Sequence, residues 1–177
     1  YGYEVMPDGT LQFHAGGQIS IGDQSTATAL GSMALGMFSV STGEQSVAAG
    51  YGATSAGIAS VALGAGTDAS GDYSSALGVG ALSEGTQSVA IGWASQASET
   101  NSIAIGSFSV ADQADTVSFG NSGLQRRLVN VAGGVADTDA VNVGQLYGVA
   151  SALGGGATWA GGTLTAPSFS LTGGTCN

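Results

Sequence analysis

The side chains that could support chemistry are few in this chain, and they are spread along its 177 residues. A hydrolase or lyase needs carboxylates grouped with one another or with a base, because one group takes a proton while another gives one. The carboxylates of the central region stand at changing intervals instead: Asp23, Glu44, Asp68, Asp72, Glu84, Glu99, Asp112 and Asp115. His14 is the only histidine, and a metal site needs further ligands beside it. The sequence therefore predicts no enzyme and no metal or cofactor.

The overall charge argues against two classes of partner. Arg126 and Arg127 are the only strong bases and the formal net charge is −10, which disfavours binding to nucleic acid and to anionic membrane surfaces. Cys176 is the only cysteine, so we expect no intrachain disulfide. We find no signal peptide and no apolar run long enough for a membrane span. The chain begins and ends within its sequence pattern, so we expect a fragment of a longer protein.

A five-residue motif, typified by Ser-Val-Ala-Ile-Gly at residues 88–92, recurs through the chain and is called the pentad below. The clear copies are residues 32–36, 46–50, 60–64, 74–78, 88–92 and 102–106, with degenerate copies at 18–22 and 116–120. The closing glycines, from Gly22 to Gly120, are fourteen residues apart every time. A fixed period of this kind predicts a solenoid, in which each repeat is stable only when it is stacked on its neighbours.

Within each pentad, small and large residues alternate, which is the period of a β-strand. The nine residues between pentads carry a second pair of small residues, for example Ser39 and Ser41, so each coil is predicted to contain two strands and two turns. The residue between that small pair varies in type and is expected to face water: Thr26, Val40, Thr54, Asp68, Leu82, Gln96 and Val110. We predict an all-β solenoid over residues 18–120, a thin parallel roll with serine, alanine and glycine inside.

The large residues of the pentads are then expected to point out of the roll in two parallel columns. Such a stripe exceeds the apolar surface that a soluble monomer tolerates, so it must be covered, and self-association along it is the physical inference. No charged residue occurs in any pentad, in agreement with burial of both faces of this strand in an assembly. The predicted interface residues are Met33, Leu35, Val47, Val61, Leu63, Leu77, Val89, Ile91, Ile103, Ile105, Val117 and Phe119.

The two ends of the chain depart from the fourteen-residue period. Residues 1–17 are predicted to form a hairpin or an irregular cap around the turn tripeptide Pro7-Asp8-Gly9. Residues 121–153 are predicted to form a neck and a short coiled-coil helix with Thr138 or Asp139 as N-cap. Its seam would be Val143, Leu146, Ala150 and Leu153, which is too short to be stable without partner chains. Residues 154–177 return to strand-like alternation.

The pentad array, followed by residues 124–130 and 139–146, resembles the head and neck of YadA-like trimeric autotransporter adhesins over residues 18–150. The tail from Ala152 to Thr175, with Trp159, is similar to the start of a tryptophan-ring domain. The resemblance implies a left-handed parallel β-roll with fourteen-residue coils, a homotrimer, and display on a Gram-negative bacterium through a C-terminal outer-membrane anchor absent here. It also implies a neck that pins neighbouring chains together. Its residues would be Arg126, Arg127, Asp137, Asp139, Asn142, Val143, Gln145 and Leu146.

In that neck, Arg126 and Arg127 would pair with Asp137, Asp139 or Asn142 of the adjacent chain; the alternative is that these charges are simply solvated. The function implied is attachment to host extracellular matrix, to cell-surface receptors or to other bacteria. Ligand contacts would then come from the outer strand and the turns, as at Asp68, Tyr73 and Gln96. The alternative is a structural spacer in a longer fibre whose adhesive site lies elsewhere.

Overall fold

The structure is a computed structural model that describes residues 2–5, 11–14 and 17–169. It divides into two compact units, one ending at Arg126 and one beginning at Arg127. No helix in the described part of the chain is long and apolar enough to cross a bilayer.

The N-terminal segment contains a hairpin. Strands β1 (Gly2–Val5) and β2 (Leu11–His14) pair antiparallel, with Gly2 opposite His14 and Val5 opposite Leu11. This pairing is that of a hairpin, and the role of residues 1–17 as a cap stays a prediction. The turn tripeptide Pro7-Asp8-Gly9 lies outside the described residues, as does Cys176 at the other end of the chain.

Residues 19–118 form two parallel sheets, and the chain alternates between them. The eight-stranded sheet consists of the pentad strands β3 (Ile19–Ile21), β5 (Met33–Leu35), β7 (Val47–Ala49), β9 (Val61–Leu63), β11 (Ser75–Leu77), β13 (Val89–Ile91), β15 (Ile103–Ile105) and β17 (Val117–Ser118). The seven-stranded sheet consists of β4 (Thr26–Ala27), β6 (Val40–Ser41), β8 (Thr54–Ser55), β10 (Asp68–Ala69), β12 (Leu82–Ser83), β14 (Gln96–Ala97) and β16 (Val110–Ala111). Each strand residue pairs with the residue fourteen positions later, as Ala76 does with Ala90. The predicted parallel roll with two strands per fourteen-residue coil is confirmed.

The core between the two sheets is built from alanine and serine. Ala48, Ala62, Ala76 and Ala90 have no exposed surface, and the inward serines are equally buried. The serine hydroxyls satisfy one another across the roll and also bond turn carbonyls; Ser55 Oγ lies 2.6 Å from Ser60 Oγ, which also donates to the Gly57 carbonyl at 2.7 Å. Because a buried hydroxyl without a partner is costly, these pairs let a polar side chain fill so thin a core.

The turns follow a period of seven residues that the sequence does not display. Every seventh residue in the roll has a left-handed φ, between 51° and 71°. The series is Gly17, Gln24, Gly31, Phe38, Gln45, Gly52, Ala59, Gly66, Tyr73, Gly80, Gln87, Ala94, Asn101, Phe108 and Asp115. Most of these are not glycine, although side chains rarely adopt this conformation. Each coil is therefore two similar halves, each of which ends in one left-handed residue.

The recurrent glycines seven residues after each pentad serve a different purpose. Gly57 is not among the left-handed residues, but a β-carbon built on it would lie 1.9 Å from the carbonyl oxygen of Gly71 in the next coil. Likewise, β-carbons built on Gly43, Gly71 and Gly85 would lie 1.9 to 2.1 Å from a carbonyl oxygen of the following coil. At these four positions successive backbones approach too closely for a β-carbon unless the next coil shifts, whereas Ala29, Glu99 and Gln113 hold the equivalent position in other coils.

Within residues 127–169, the part of the second unit that the structure describes, there are one helix and one hairpin. Helix α1 (Val143–Leu153) is followed by its C-cap residue, Gly154. Strands β18 (Thr158–Ala160) and β19 (Thr163–Thr165) pair antiparallel. The predicted N-cap at Thr138 or Asp139 is wrong, because the cap is Asn142. Its side chain accepts from the backbone of Gln145 while the Gln145 side chain accepts from the backbone of Asn142, which is a capping box. The predicted strand character of 163–165 is confirmed, whereas Ser168 and Phe169 form no strand and Leu171 lies outside the described residues.

Candidate functional site

The outward side chains of the pentad sheet form two columns on one face of the roll. Parallel register stacks Met33 on Val47 and Val47 on Val61 in the first column, and Leu77 on Ile91 and Ile105 in the second. These side chains are partly exposed in the single chain; Leu63 is 40% exposed and Ile91 39%. The structure thus brings the predicted interface residues together, including Leu35, Val89, Ile103, Val117 and, one residue beyond β17, Phe119. Their role in an interface between chains stays a prediction.

The two edges of the roll differ in chemistry. The turn that follows each pentad carries apolar and aromatic side chains, and its two residues directly after the closing glycine are uncharged in every coil from residue 37 to residue 108. We call its exposed large side chains the aromatic edge: Met37, Phe38, Tyr51, Val79, Trp93 and Phe108. Sequence reasoning missed this edge, although its signal is present at the two positions after each closing glycine.

The aromatic side chains of that edge interact in pairs from neighbouring coils. The rings of Phe38 and Tyr51 lie 5.7 Å apart in an edge-to-face arrangement, and those of Trp93 and Phe108 lie 4.5 Å apart. Such pairs add to the stability that apolar burial gives. They leave much of each ring uncovered, however, and Trp93 remains 56% exposed.

The opposite edge, made by the turn that precedes each pentad, is acidic. Its carboxylates are Glu44, Asp72, Glu84, Glu99, Asp112 and Asp115. Two of them bond across coils: Asp72 Oδ1 accepts the Ile58 amide at 2.9 Å, and Asp115 Oδ1 accepts from the Asn101 side chain at 2.8 Å. In the described part of the chain, no three such side chains group in a way that could hold a metal ion. The carboxylates therefore stabilise turns and give this edge its charge.

Arg126 closes the last coil of the roll. Its guanidinium donates to the Ser107 carbonyl at 2.7 Å, to the Phe119 carbonyl at 2.7 Å and to Ser109 Oγ at 3.1 Å. A groove of about 680 Å³ lies beside it, between residues that include Val110, Thr116 and Gln125. These three partners belong to its own chain; the pairing of Arg126 with Asp137, Asp139 or Asn142 of an adjacent chain, which the resemblance implies, stays a prediction.

The remaining neck residues organise the loop before α1. Gln145 exchanges two hydrogen bonds of 2.9 Å with the backbone of Gly134, and Asn142 Nδ2 donates to the Val131 carbonyl at 3.0 Å. Asp139 accepts from the amides of Ala136 and Val135, at 2.9 and 2.8 Å, and these bonds hold the pKa of its carboxyl below the ordinary value. The loop is therefore held in shape by contacts within one chain.

The helix places its predicted seam residues in unlike surroundings. Val143 is 52% exposed, Leu146 is half-buried and Ala150 is buried against its own unit, since α1 lies on β18. Leu153 is also exposed, while Arg127 and Asp137 project into solvent. The arrangement leaves apolar and charged neck side chains available to another chain, and their pinning role stays a prediction.

Family models match most of the chain. The model described as the YadA head domain repeat matches residues 19–39, 41–67, 69–95 and 97–122, and the model of the coiled stalk of trimeric autotransporter adhesins matches residues 127–165. The chain belongs to the YadA-like trimeric autotransporter adhesins. It is a surface adhesin head with a neck, and not an enzyme.

A solved structure agrees with the assignment of this chain to the YadA-like family. The crystal structure of the collagen-binding domain of the Yersinia adhesin YadA is similar over 66% of this chain and 81% of that chain, with 34% sequence identity and a TM-score of 0.51. No curated protein sequence matches the adhesin.

Proposed function

We propose that the adhesin is the head and neck of a homotrimer in which three left-handed rolls pack their pentad columns around a common axis. The observation that carries this proposal is the pair of exposed apolar columns, which run along the pentad sheet with no charged residue in them. Strands stack at about 4.8 Å, so the columns of eight strands extend for roughly 35 Å. At about 25 cal/mol per Å² of buried apolar surface, covering such columns makes assembly and folding a single event.

Oligomeric mass tests the assembly directly. Sedimentation of the soluble chain should give a single species of three chains that persists on dilution. Ile91→Asp, which places a charge in the second column, should abolish the trimer, because a buried unpaired charge is strongly unfavourable. Gln96→Asp adds the same charge on the outer sheet and should leave the trimer intact. A folded wild-type monomer in dilute solution would contradict the proposal.

The biological role proposed is attachment of a Gram-negative bacterium to host extracellular matrix or cell surfaces, or to other bacteria. The similar Yersinia domain is described as collagen-binding, and membership of this family supports a binding role for the roll. With the pentad columns covered by sister chains, ligand contacts fall to the outer sheet. Gln96 is exposed there, and Thr54, Asp68 and Leu82 are half-buried. Three copies of a weak contact would bind with avidity.

Solid-phase binding of the isolated trimer to collagen, fibronectin and laminin tests this role. We expect saturable binding to at least one of these, and loss of binding when Leu82 and Gln96 are both changed to Ala with the trimer preserved. A trimer that binds no matrix protein and no cell, while the adhesin without residues 1–120 still attaches bacteria, would favour the spacer alternative.

A further inference from the structure

We propose that the aromatic edge of each roll is part of the contact between subunits and packs against the acidic edge of the next subunit. The proposal deepens the trimer proposed above and rests on it. The occupant of the aromatic edge is thus a second copy of the same chain, and not the ligand. Two observations on the single roll and one argument from symmetry lead to this assignment.

The first observation is the continuity of the apolar surface. The aromatic edge begins where the second pentad column ends, since Ile91 is followed by Gly92 and then Trp93, and Leu77 by Gly78 and then Val79. The side chains of this column remain exposed at Leu63, Ile91 and Ile105. The apolar face therefore extends past the columns and around this edge of the roll.

The second observation is that the two edges differ in charge, although both expose some apolar side chains. In the turns that precede the pentads, the residues directly before the inward serines 46, 88 and 102 are the polar Gln45, Gln87 and Asn101. These turns carry six carboxylates, whereas the aromatic edge carries no charge from residue 37 to residue 108. A surface that only had to face a symmetry axis would need no such asymmetry between its two edges.

The third argument comes from three-fold symmetry. In a closed ring of three identical subunits, each contact joins one surface of a subunit to a different surface of the next. If the pentad sheets face the axis, the surfaces that meet beside the axis are the aromatic edge of one subunit and the acidic edge of its neighbour. The acidic edge also exposes Leu30, Ile58 and Tyr73, which supply apolar partners, and its carboxylates can accept from the Trp93 indole and the Tyr51 hydroxyl.

Site-specific photocross-linking tests the contact in the intact chain. With p-benzoylphenylalanine in place of Trp93, irradiation should give covalent dimers and trimers, with the cross-link mapped to a residue of the acidic edge. The same group in place of Gln96, which is exposed on the outer sheet, should give no cross-link between subunits. A chain that sediments as a trimer but gives no cross-link from position 93, or gives one only to added collagen, would overturn the proposal while leaving the trimer established.

Fluorescence gives an independent measurement on an almost unchanged protein. In Trp159→Phe, Trp93 is the only tryptophan, and the contact predicts blue-shifted emission and weak quenching by acrylamide in the trimer. The companion variant Trp93→Phe reports Trp159 alone and shows which part of the signal comes from the second unit. Quenching of Trp93 as strong as that of free tryptophan, in a sample shown to be trimeric, would also overturn the proposal.

Discussion

The guanidinium of Arg126 lies against Gly106, so that a β-carbon built on this glycine would be 3.1 Å from Arg126 Cζ. One coil earlier, a β-carbon built on Gly92 would lie 2.6 Å from the backbone carbonyl carbon of Gly106. The guanidinium thus occupies the place that the peptide of a further coil would take. It also replaces a hydrogen bond: the Trp93 carbonyl accepts from the amide of Phe108, whereas the Ser107 carbonyl, its counterpart one coil later, accepts from Arg126 Nη2.

Arg126→Ala should therefore loosen the last coil of the roll. Two backbone carbonyls and one serine hydroxyl lose a charged donor. We expect the free energy of unfolding to fall by about 2 kcal/mol, because hydrogen bonds to charged groups are stronger than hydrogen bonds between neutral groups. Hydrogen exchange of the amides of β15 and β17 should accelerate, while exchange in the central strands stays unchanged.

Arg127→Ala is the matched control for that variant, because Arg127 is exposed and makes no such contact among the described residues. Arg126→Lys should recover only part of the protection, since an ammonium group cannot present the planar fork that bridges two carbonyls. Equal protection factors in Arg126→Ala and in the wild type would contradict a capping role for Arg126.

Ser74 differs from the other inward serines because its hydroxyl is buried and has no hydrogen-bond partner among the described residues. The hydroxyl of Ser60 bonds the hydroxyl of Ser55, which is five residues earlier in the chain. The residue five positions before Ser74 is Ala69, which has no hydroxyl. Removing an unpaired buried hydroxyl costs nothing in hydrogen bonding, so Ser74→Ala should leave stability unchanged or raise it. Ser60→Ala should lower it by about 1 kcal/mol. Urea unfolding of both variants checks this, and a larger loss in Ser74→Ala than in Ser60→Ala would show the assignment to be wrong.

The turn glycines should respond to substitution according to backbone approach and not according to φ. Gly57→Ala places a β-carbon against the Gly71 carbonyl and should cost about 3 kcal/mol, as overpacking against atoms that cannot move does. Gly52 has a φ of 61° but open space around it, and residues such as Gln24 and Phe38 hold the equivalent position in other coils. Gly52→Asn should therefore be nearly neutral in thermal melting. Similar melting temperatures for Gly57→Ala and Gly52→Asn would rule this explanation out.

The part of the fold that the sequence predicted is the part set by side-chain type. Alternation predicted the pentad strands, and the small inward residues predicted the thin core, because only small side chains such as serine, alanine and threonine fit between sheets so close together. The turn conformation could not be predicted from the sequence, since Gln, Phe, Tyr, Asn and Asp all occupy the left-handed position and no single residue type is typical of it. The helix N-cap was readable in Asn142 and Gln145, three residues apart, but Thr138 and Asp139 offered equally good cap residues upstream.

The candidate site, too, was predicted from the sequence only in part. The two columns follow from strand alternation and register alone, so the sequence identified them. The partners of Arg126 could not be identified, because Ser107 and Phe119 offer main-chain carbonyls that every residue carries. Their availability depends on the roll ending at that coil. Only the three-dimensional stacking of coils shows which carbonyls are left without an amide.

Asp139 gives the neck a defined response to acid. The amides of Ala136 and Val135 bond its charged carboxylate and lower its pKa in the folded loop, so the loop is stabilised above the pKa of the unfolded chain. This stabilisation is lost only as the pH falls through the lowered, folded pKa. In an NMR titration, the amide resonances of Ala136 and Val135 should move together with the Asp139 carboxyl, at a pH below that at which an ordinary aspartate takes up its proton. Asp139→Ala should remove the transition and Asp137→Ala should leave it. Amides that shift at the ordinary aspartate pKa, or that titrate in Asp139→Ala, would show that another group holds this loop.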